Sequence, residues 1–137
     1  DRLIQEQGVQ VILAGAVSES GIASQVCAAM RKQATDLVGQ TTLRELAALL
    51  NQTQLVLTND SACLHAAEMM QVPAVAIFGP TDSKKYGPRH PLSRIIRREL
   101  VCAPCEKAQC QYRHECMEWI NEREVYDAAA GILNGTP

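Results

Sequence analysis

Two short polar segments carry residue types suited to a charged ligand. Asn59-Asp60-Ser61 follows the apolar run 54–58 and opens a helical pattern that carries a lone histidine, His65. Gly79-Pro80-Thr81-Asp82 follows the next apolar run, residues 73–78. A helix that starts where a strand ends presents free N–H groups and a partial positive charge, which attract phosphate. Ser61 can cap that helix or donate to a phosphate oxygen, and small Ala62 lets backbone amides come close to a ligand. His65 lies one turn beyond Ser61 on the same face. As imidazolium it would stabilise a departing diphosphate; as imidazole it would hydrogen-bond one. The plainer readings stand beside these. Asp-Ser before a helix is commonly just a cap, a single histidine beside Ala66 and Ala67 is commonly structural, and Gly-Pro-Thr-Asp is a common turn. Asp60 opposes phosphate unless its carboxylate points at amides or sugar hydroxyls. A third segment, Ala14–Gly21, carries Glu19, which is placed either to take ribose hydroxyls or to complement a helix dipole.

Cys102, Cys105, Cys110 and Cys116 form a C-x2-C-x4-C-x5-C cluster, with His114 as a spare ligand. Four thiolates in this spacing suit a tetrahedral structural zinc site; two disulfides or free thiols are the alternatives. On either reading the loop 102–116 is scaffold. Cys27 and Cys63 fall in helical patterns as small core hydrophobes.

The elements that must position these residues alternate. The first residues look like the tail of a helix running into a strand at 9–14, followed by a helix over 19–33 with Ile22, Val26, Ala29 and Met30 on one face. A short strand or extended link spans 36–39. Thr41-Thr42 then caps a helix with Leu43, Leu46, Ala47 and Leu50 at amphipathic spacing. A strand at 54–58, a helix at 61–71 and a strand at 73–78 complete the alternation. A strand at 93–98 and a final helix capped by Asn121 and Glu124 follow. Strands that are continuous apolar runs indicate a parallel sheet covered on both faces. The fold class is therefore α/β, with ligands expected at the carboxyl ends of the strands.

The chain of 137 residues suits one domain with one core. Its net charge of -2 and pI of about 5.9 argue against a nucleic-acid surface. No apolar run approaches the roughly 20 residues needed to cross a bilayer. The first residues lack the pattern of a signal peptide, and six cysteines without one favour a reducing, cytoplasmic compartment. The basic residues Lys84, Lys85, Arg89, Arg94, Arg97 and Arg98 form a solvated face or help approach an anionic lipid.

The ordered blocks VILAG with a following Glu, LVGQTTLRELAALL, LVLTNDSACLHAAEMMQVPAVAIFGPTD and YGP resemble the C-terminal half of glycosyltransferase family 9, the ADP-heptose:lipopolysaccharide heptosyltransferases. The resemblance implies half of a GT-B fold: one Rossmann-like, three-layer, nucleotide-sugar-binding domain over 1–137. That domain would lack its first strand, and a separate domain would carry the acceptor site and the catalytic base. It implies donor contacts at Asp60, Ser61, Ala62, Cys63 and His65, with His65 a candidate leaving-group stabiliser. It implies a ribose contact at Glu19, an adenine pocket at Thr41 and Thr42, and a further wall at Gly79, Pro80, Thr81 and Asp82. The family usually has Gly in place of Ala62 and a Pro-Met-like pair in place of Cys63-Leu64. Many relatives carry a similar cysteine-rich segment, for which no catalytic role is implied. The expected function is donor binding in an inverting heptosyl transfer of lipopolysaccharide core synthesis. The partners would be a nucleotide-sugar donor and a lipid-linked saccharide acceptor at the inner membrane face. With no Asp-x-Asp pair, no catalytic cofactor is expected, and a structural zinc ion is the metal candidate. The other readings are another GT-B enzyme, such as a sugar-nucleotide epimerase or a uridine-donor transferase, and a non-enzymatic zinc or redox module.

Overall fold

The computed structural model describes residues 1–135. The chain divides into two compact units, Asp1–Leu49 and the remainder from Leu50.

In the first unit, helix α1 (Arg2–Gln7) stops at Gly8, whose φ of 65° is a left-handed C-cap that glycine adopts without strain. Strand β1 (Ile12–Leu13) pairs in parallel with β2 (Thr35–Asp36). Between them a 3-10 turn (Val17–Glu19) leads into helix α2 (Ser20–Ala29). The Asp1 carboxylate accepts the backbone N–H groups of Arg31 and Lys32 at 2.8–3.1 Å, which ties the start of α1 to the segment after α2. The strand expected over 9–14 is regular only at Ile12 and Leu13, and the carbonyls of Val11, Leu13 and Gly15 accept the N–H groups of Thr35, Leu37 and Gly39 at 2.9 Å. The expected buried face of α2 is a correction. Ile22 is 65% exposed and Val26 is 41% exposed, whereas Ala23 is buried. The apolar face read from the spacing of Ile22, Val26 and Ala29 is therefore not the face that the fold buries. Helix α3 (Leu43–Leu50) closes the first unit and runs to the first residue of the second. Its spacing prediction holds at Leu46, Ala47 and Leu50, while Leu43 at the first turn is exposed.

In the second unit, strands β3 (Val56–Asn59), β4 (Ala74–Phe78) and β5 (Arg94–Arg97) form a parallel sheet in that order. Helix α4 (Ala62–Met69) connects β3 to β4 and packs on both. Ala74, Ala76 and Phe78 on one face of β4 join buried Leu64 of α4, with Val56 and Tyr86 packed against them. Side chains alternate across a strand, so Val75 points to the other face, where it is also fully buried. Helix α7 (Glu122–Leu133) packs along β4 and β5 and contributes buried Ala129 and Ile132. Burial on both faces explains why β4 reads as an unbroken apolar run. The capping box predicted for α7 is present: the Asn121 side chain accepts from Arg123 N–H at 2.7 Å, and Glu124 accepts from Asn121 N–H at 3.2 Å. Arg98 joins this cap, donating to the Trp119 carbonyl at 2.9 Å and to the Glu124 carboxylate.

Two four-residue helices, α5 (Ser83–Tyr86) and α6 (Glu115–Glu118), are too short to leave a periodic signal in the sequence. The loop after α5 is braced at three points. Gly87 N–H donates to the Ser83 carbonyl, Glu68 of α4 accepts the N–H groups of Arg89 and His90, and Ser93 Oγ accepts Ala74 N–H. Cys27 and Cys63 are half-buried and do not belong to the sealed core.

Candidate functional site

At the carboxyl ends of β3 and β4 the second unit opens a cleft of about 600 Å³. The β3–α4 junction supplies Asp60 and His65, the loop after β4 supplies Pro80 and Thr81, and α5 supplies Tyr86. Glu106, Lys107 and Ala108 of the cysteine-rich loop form the remaining wall. The register explains the juxtaposition. Asn59 pairs with Ile77, and Asp60 N–H donates to the Ile77 carbonyl at 3.1 Å, so both strands end at the same level.

The predicted residues part company at this rim. Ser61 stands at the N-cap position of α4, but its hydroxyl is 3.0 Å from the Thr58 hydroxyl and makes no cap bond. The first turn of α4 therefore keeps its amides free of a side-chain cap. His65 is exposed, one turn along, with its N–H 3.5 Å from the Ser61 carbonyl. Ala62 and Cys63 begin α4 without lining the cleft, and Leu64 is in the core. In the next loop only Pro80 and Thr81 face the cavity. Asp82 instead caps α5, accepting Lys84 N–H at 2.9 Å. Gly79 backs onto α6: a Cβ there would sit 2.5 Å from Met117 Sδ and 3.5 Å from Cys116 Sγ.

The cysteine-rich loop is more than scaffold. Cys105 N–H and Glu106 N–H both donate to the Pro80 carbonyl, at 2.9 and 2.8 Å, and so dock the loop on the cleft rim. Lys85 Nζ stands 3.9 Å from the Glu106 carboxylate and 4.7 Å from the centre of the Tyr86 ring. A side-chain hydrogen bond with Tyr86, and then the Glu106 charge, hold the Lys85 amine above its ordinary range. Sequence reasoning missed Glu106, Lys107 and Ala108. They follow a cluster whose cysteines drew attention to themselves, and nothing local signals that the loop reaches a strand end.

All six cysteines are free thiols. Cys102, Cys105, Cys110 and Cys116 line an adjoining cavity of about 250 Å³ with His114 and Met117, and this cavity shares Pro80, Lys107 and Ala108 with the cleft. Desolvation, then proximity to Cys110, Cys102 and Cys105, pushes the Cys116 thiol above its ordinary range. Among the described residues no three of His, Cys, Asp or Glu are grouped as a metal ion requires.

In the first unit, the polar candidates are engaged by their own backbone. Glu19 turns back to accept Ala16 N–H at 2.7 Å, and Gly15 leaves the room: a Cβ there would meet Glu19 Oε2 at 2.6 Å. Thr42 donates from both its N–H and its hydroxyl to Glu45 Oε2 at 2.8 Å. Glu45 N–H returns a bond to Thr42 Oγ1 at 3.3 Å. These bonds, the backbone one first, hold the Glu45 carboxyl below its ordinary range. Thr41 precedes this cap and is half-buried.

Comparison with known proteins places this geometry. The family model "Glycosyltransferase family 9 (heptosyltransferase)" matches residues 1–115. Lipooligosaccharide heptosyltransferase 2 of Campylobacter jejuni subsp. jejuni serotype O:2 is 29% identical over 103 residues, covering 74% of this chain and 32% of the relative. Lipooligosaccharide heptosyltransferase 2 of Haemophilus influenzae is 33% identical over 105 residues, covering 69% of this chain and 30% of the relative. The crystal structure of a family 9 glycosyl transferase from Veillonella parvula superposes with a TM-score of 0.84 at 25% identity, over 95% of this chain and 38% of that one. The E. coli ADP-heptose lps heptosyltransferase II structure, at 22% identity and a TM-score of 0.81 over 98% of this chain and 39% of that one, shares the fold. The chain thus spans about a third of the length of the relatives it matches. Both units are parallel α/β, as in those Rossmann-like transferases. On the match over residues 1–115, the chain belongs to glycosyltransferase family 9.

Proposed function

We propose that this chain is the donor-binding part of an inverting glycosyltransferase. It would move a heptose from an ADP-linked donor to a lipid-linked saccharide acceptor of lipopolysaccharide core synthesis. The observation that carries the reading is the cleft at the ends of β3 and β4, which Asp60 and the exposed His65 line beside a helix start that has no side-chain cap. Transfer from a nucleotide sugar requires stabilisation of a departing diphosphate. Backbone amides at a helix start, together with one side-chain donor, supply this where charge develops. Thr81 offers a hydroxyl across the cleft from His65. Asp60 is better suited to the sugar hydroxyls than to the phosphates, which it would repel. That the relatives are lipooligosaccharide heptosyltransferases supports heptose as the sugar and a lipopolysaccharide-type acceptor. No helix among the described residues is long and apolar enough to cross a membrane.

The test is calorimetric titration of the intact protein with ADP, UDP and GDP, followed by a transfer assay with ADP-heptose. A preference for ADP is expected. A preference for UDP would replace this reading with a uridine-donor transferase, and the absence of nucleotide binding would overturn it.

A further inference from the structure

We infer that Lys107 is a binding residue for the diphosphate of the nucleotide sugar, carried to the cleft by the cysteine-rich loop; this rests on the donor-site reading above. The cleft needs a cation. A nucleotide-sugar diphosphate carries two negative charges, and the cleft wall already includes the carboxylates of Asp60 and Glu106. Lys85 is directed at Glu106 and at the face of Tyr86, so its charge answers a carboxylate that is already present. Among the described residues Lys107 is the one lysine or arginine lining the cavity, and no carboxylate forms an ion pair with it.

Its placement is built. The two amides that precede Lys107, those of Cys105 and Glu106, are both hydrogen-bonded to the Pro80 carbonyl, so the backbone entering Lys107 is held on the same rim that presents Thr81. The flexible four-carbon stem and three ammonium donors let the side chain follow a phosphate from that anchor. Lys107 thus lines one cavity with His65 and Thr81, and a diphosphate bound there would be contacted from both walls.

The experiment uses the intact protein and titrates ADP, AMP and adenosine against the unsubstituted chain, Lys107→Ala, Lys107→Arg and the outside control Lys84→Ala. Loss of one charge-assisted contact should weaken ADP binding about tenfold in Lys107→Ala, with adenosine unchanged. The salt dependence of ADP binding should become shallower in the same variant. Lys107→Arg should keep most of the affinity, and Lys84→Ala should match the parent. Unchanged ADP affinity in Lys107→Ala, or an equal loss for ADP and adenosine, would overturn the assignment to the diphosphate. Failure of the unsubstituted protein to bind ADP would instead overturn the donor-site reading itself, and this assignment with it. Equal melting temperatures for all four proteins would separate these outcomes from misfolding.

Discussion

The strand-end loop of the first unit and the strand-end loops of the second contain similar residues arranged to opposite ends. After β1, the Glu19 carboxylate folds back onto Ala16 N–H, and beyond β2 Thr42 and Glu45 satisfy one another. After β3 and β4, Asp60, His65 and Thr81 face a cavity instead. The difference comes from what competes for each group. A polar side chain three residues from an orphan backbone amide finds a partner locally. Ser61 is diverted to Thr58, so the α4 amides stay available. Polar residues at a strand end are thus a binding site only where the local backbone has not claimed them first.

The comparison can be broken most severely at the frame of the open loops. Gly87→Ala would drive a methyl group into the Ser83 carbonyl and to 2.8 Å from Ile95 Cδ1. Because the main obstacle is backbone, a loss of roughly 3 kcal/mol is expected, at the upper end of overpacking costs. Denaturant unfolding of the intact protein checks it, and an unchanged midpoint would show that α5 and Tyr86 are not held by this contact.

His65→Ala tests the open side directly. If His65 stabilises the departing diphosphate, kcat should fall between about tenfold and a hundredfold, or ~1.4 to 2.7 kcal/mol, with melting unchanged because the side chain is exposed. A normal kcat in the transfer assay would return His65 to a surface role.

The closed side gives smaller effects. Thr42→Ala removes a cap and should cost about 1 kcal/mol in unfolding free energy. Glu19→Gln sharpens the contrast, because an amide oxygen can still accept Ala16 N–H. Stability should hold to within about 0.5 kcal/mol. If Glu19 also grips a ribose, adenosine binding should weaken while melting does not move. If adenosine binding is unaffected, the carboxylate serves its own turn alone.

The smallest effect is acid sensitivity. The hydrogen bond from Arg98, then that from Asn121 N–H, lowers the Glu124 carboxyl in the fold, and Thr42 lowers that of Glu45. A depressed folded value means the stabilisation is fully present above the ordinary glutamate value of 4.5 and is lost as pH falls through the folded values. Both groups are exposed, so the slope is shallow. Glu124→Gln should flatten the stability profile below that value, as thermal melts at successive pH values would show; an unchanged profile would remove the Arg98–Glu124 contact from the acid response.

The sequence by itself determined the elements and their class. Apolar runs at 54–58 and 73–78, separated by a helical pattern, required parallel strands covered on both faces, and Asn121 with Glu124 marked the start of α7, because periodicity and capping are local properties of neighbouring residues. It also placed Asp60, His65, Pro80 and Thr81 at strand ends, where an open α/β sheet takes its ligands. Tertiary structure decided which of these groups were left over. Asp82 is drawn off to cap α5, and Ser61 is drawn off to Thr58. Ile22 and Val26 stay exposed while Ala23 is buried, a choice of face that their spacing did not announce. Only the folded chain brings Lys107 to the cleft, since the two bonds that dock its loop end on a carbonyl some 25 residues earlier, at Pro80. A backbone carbonyl is present at every residue, so no side-chain pattern can announce which one a distant loop will find.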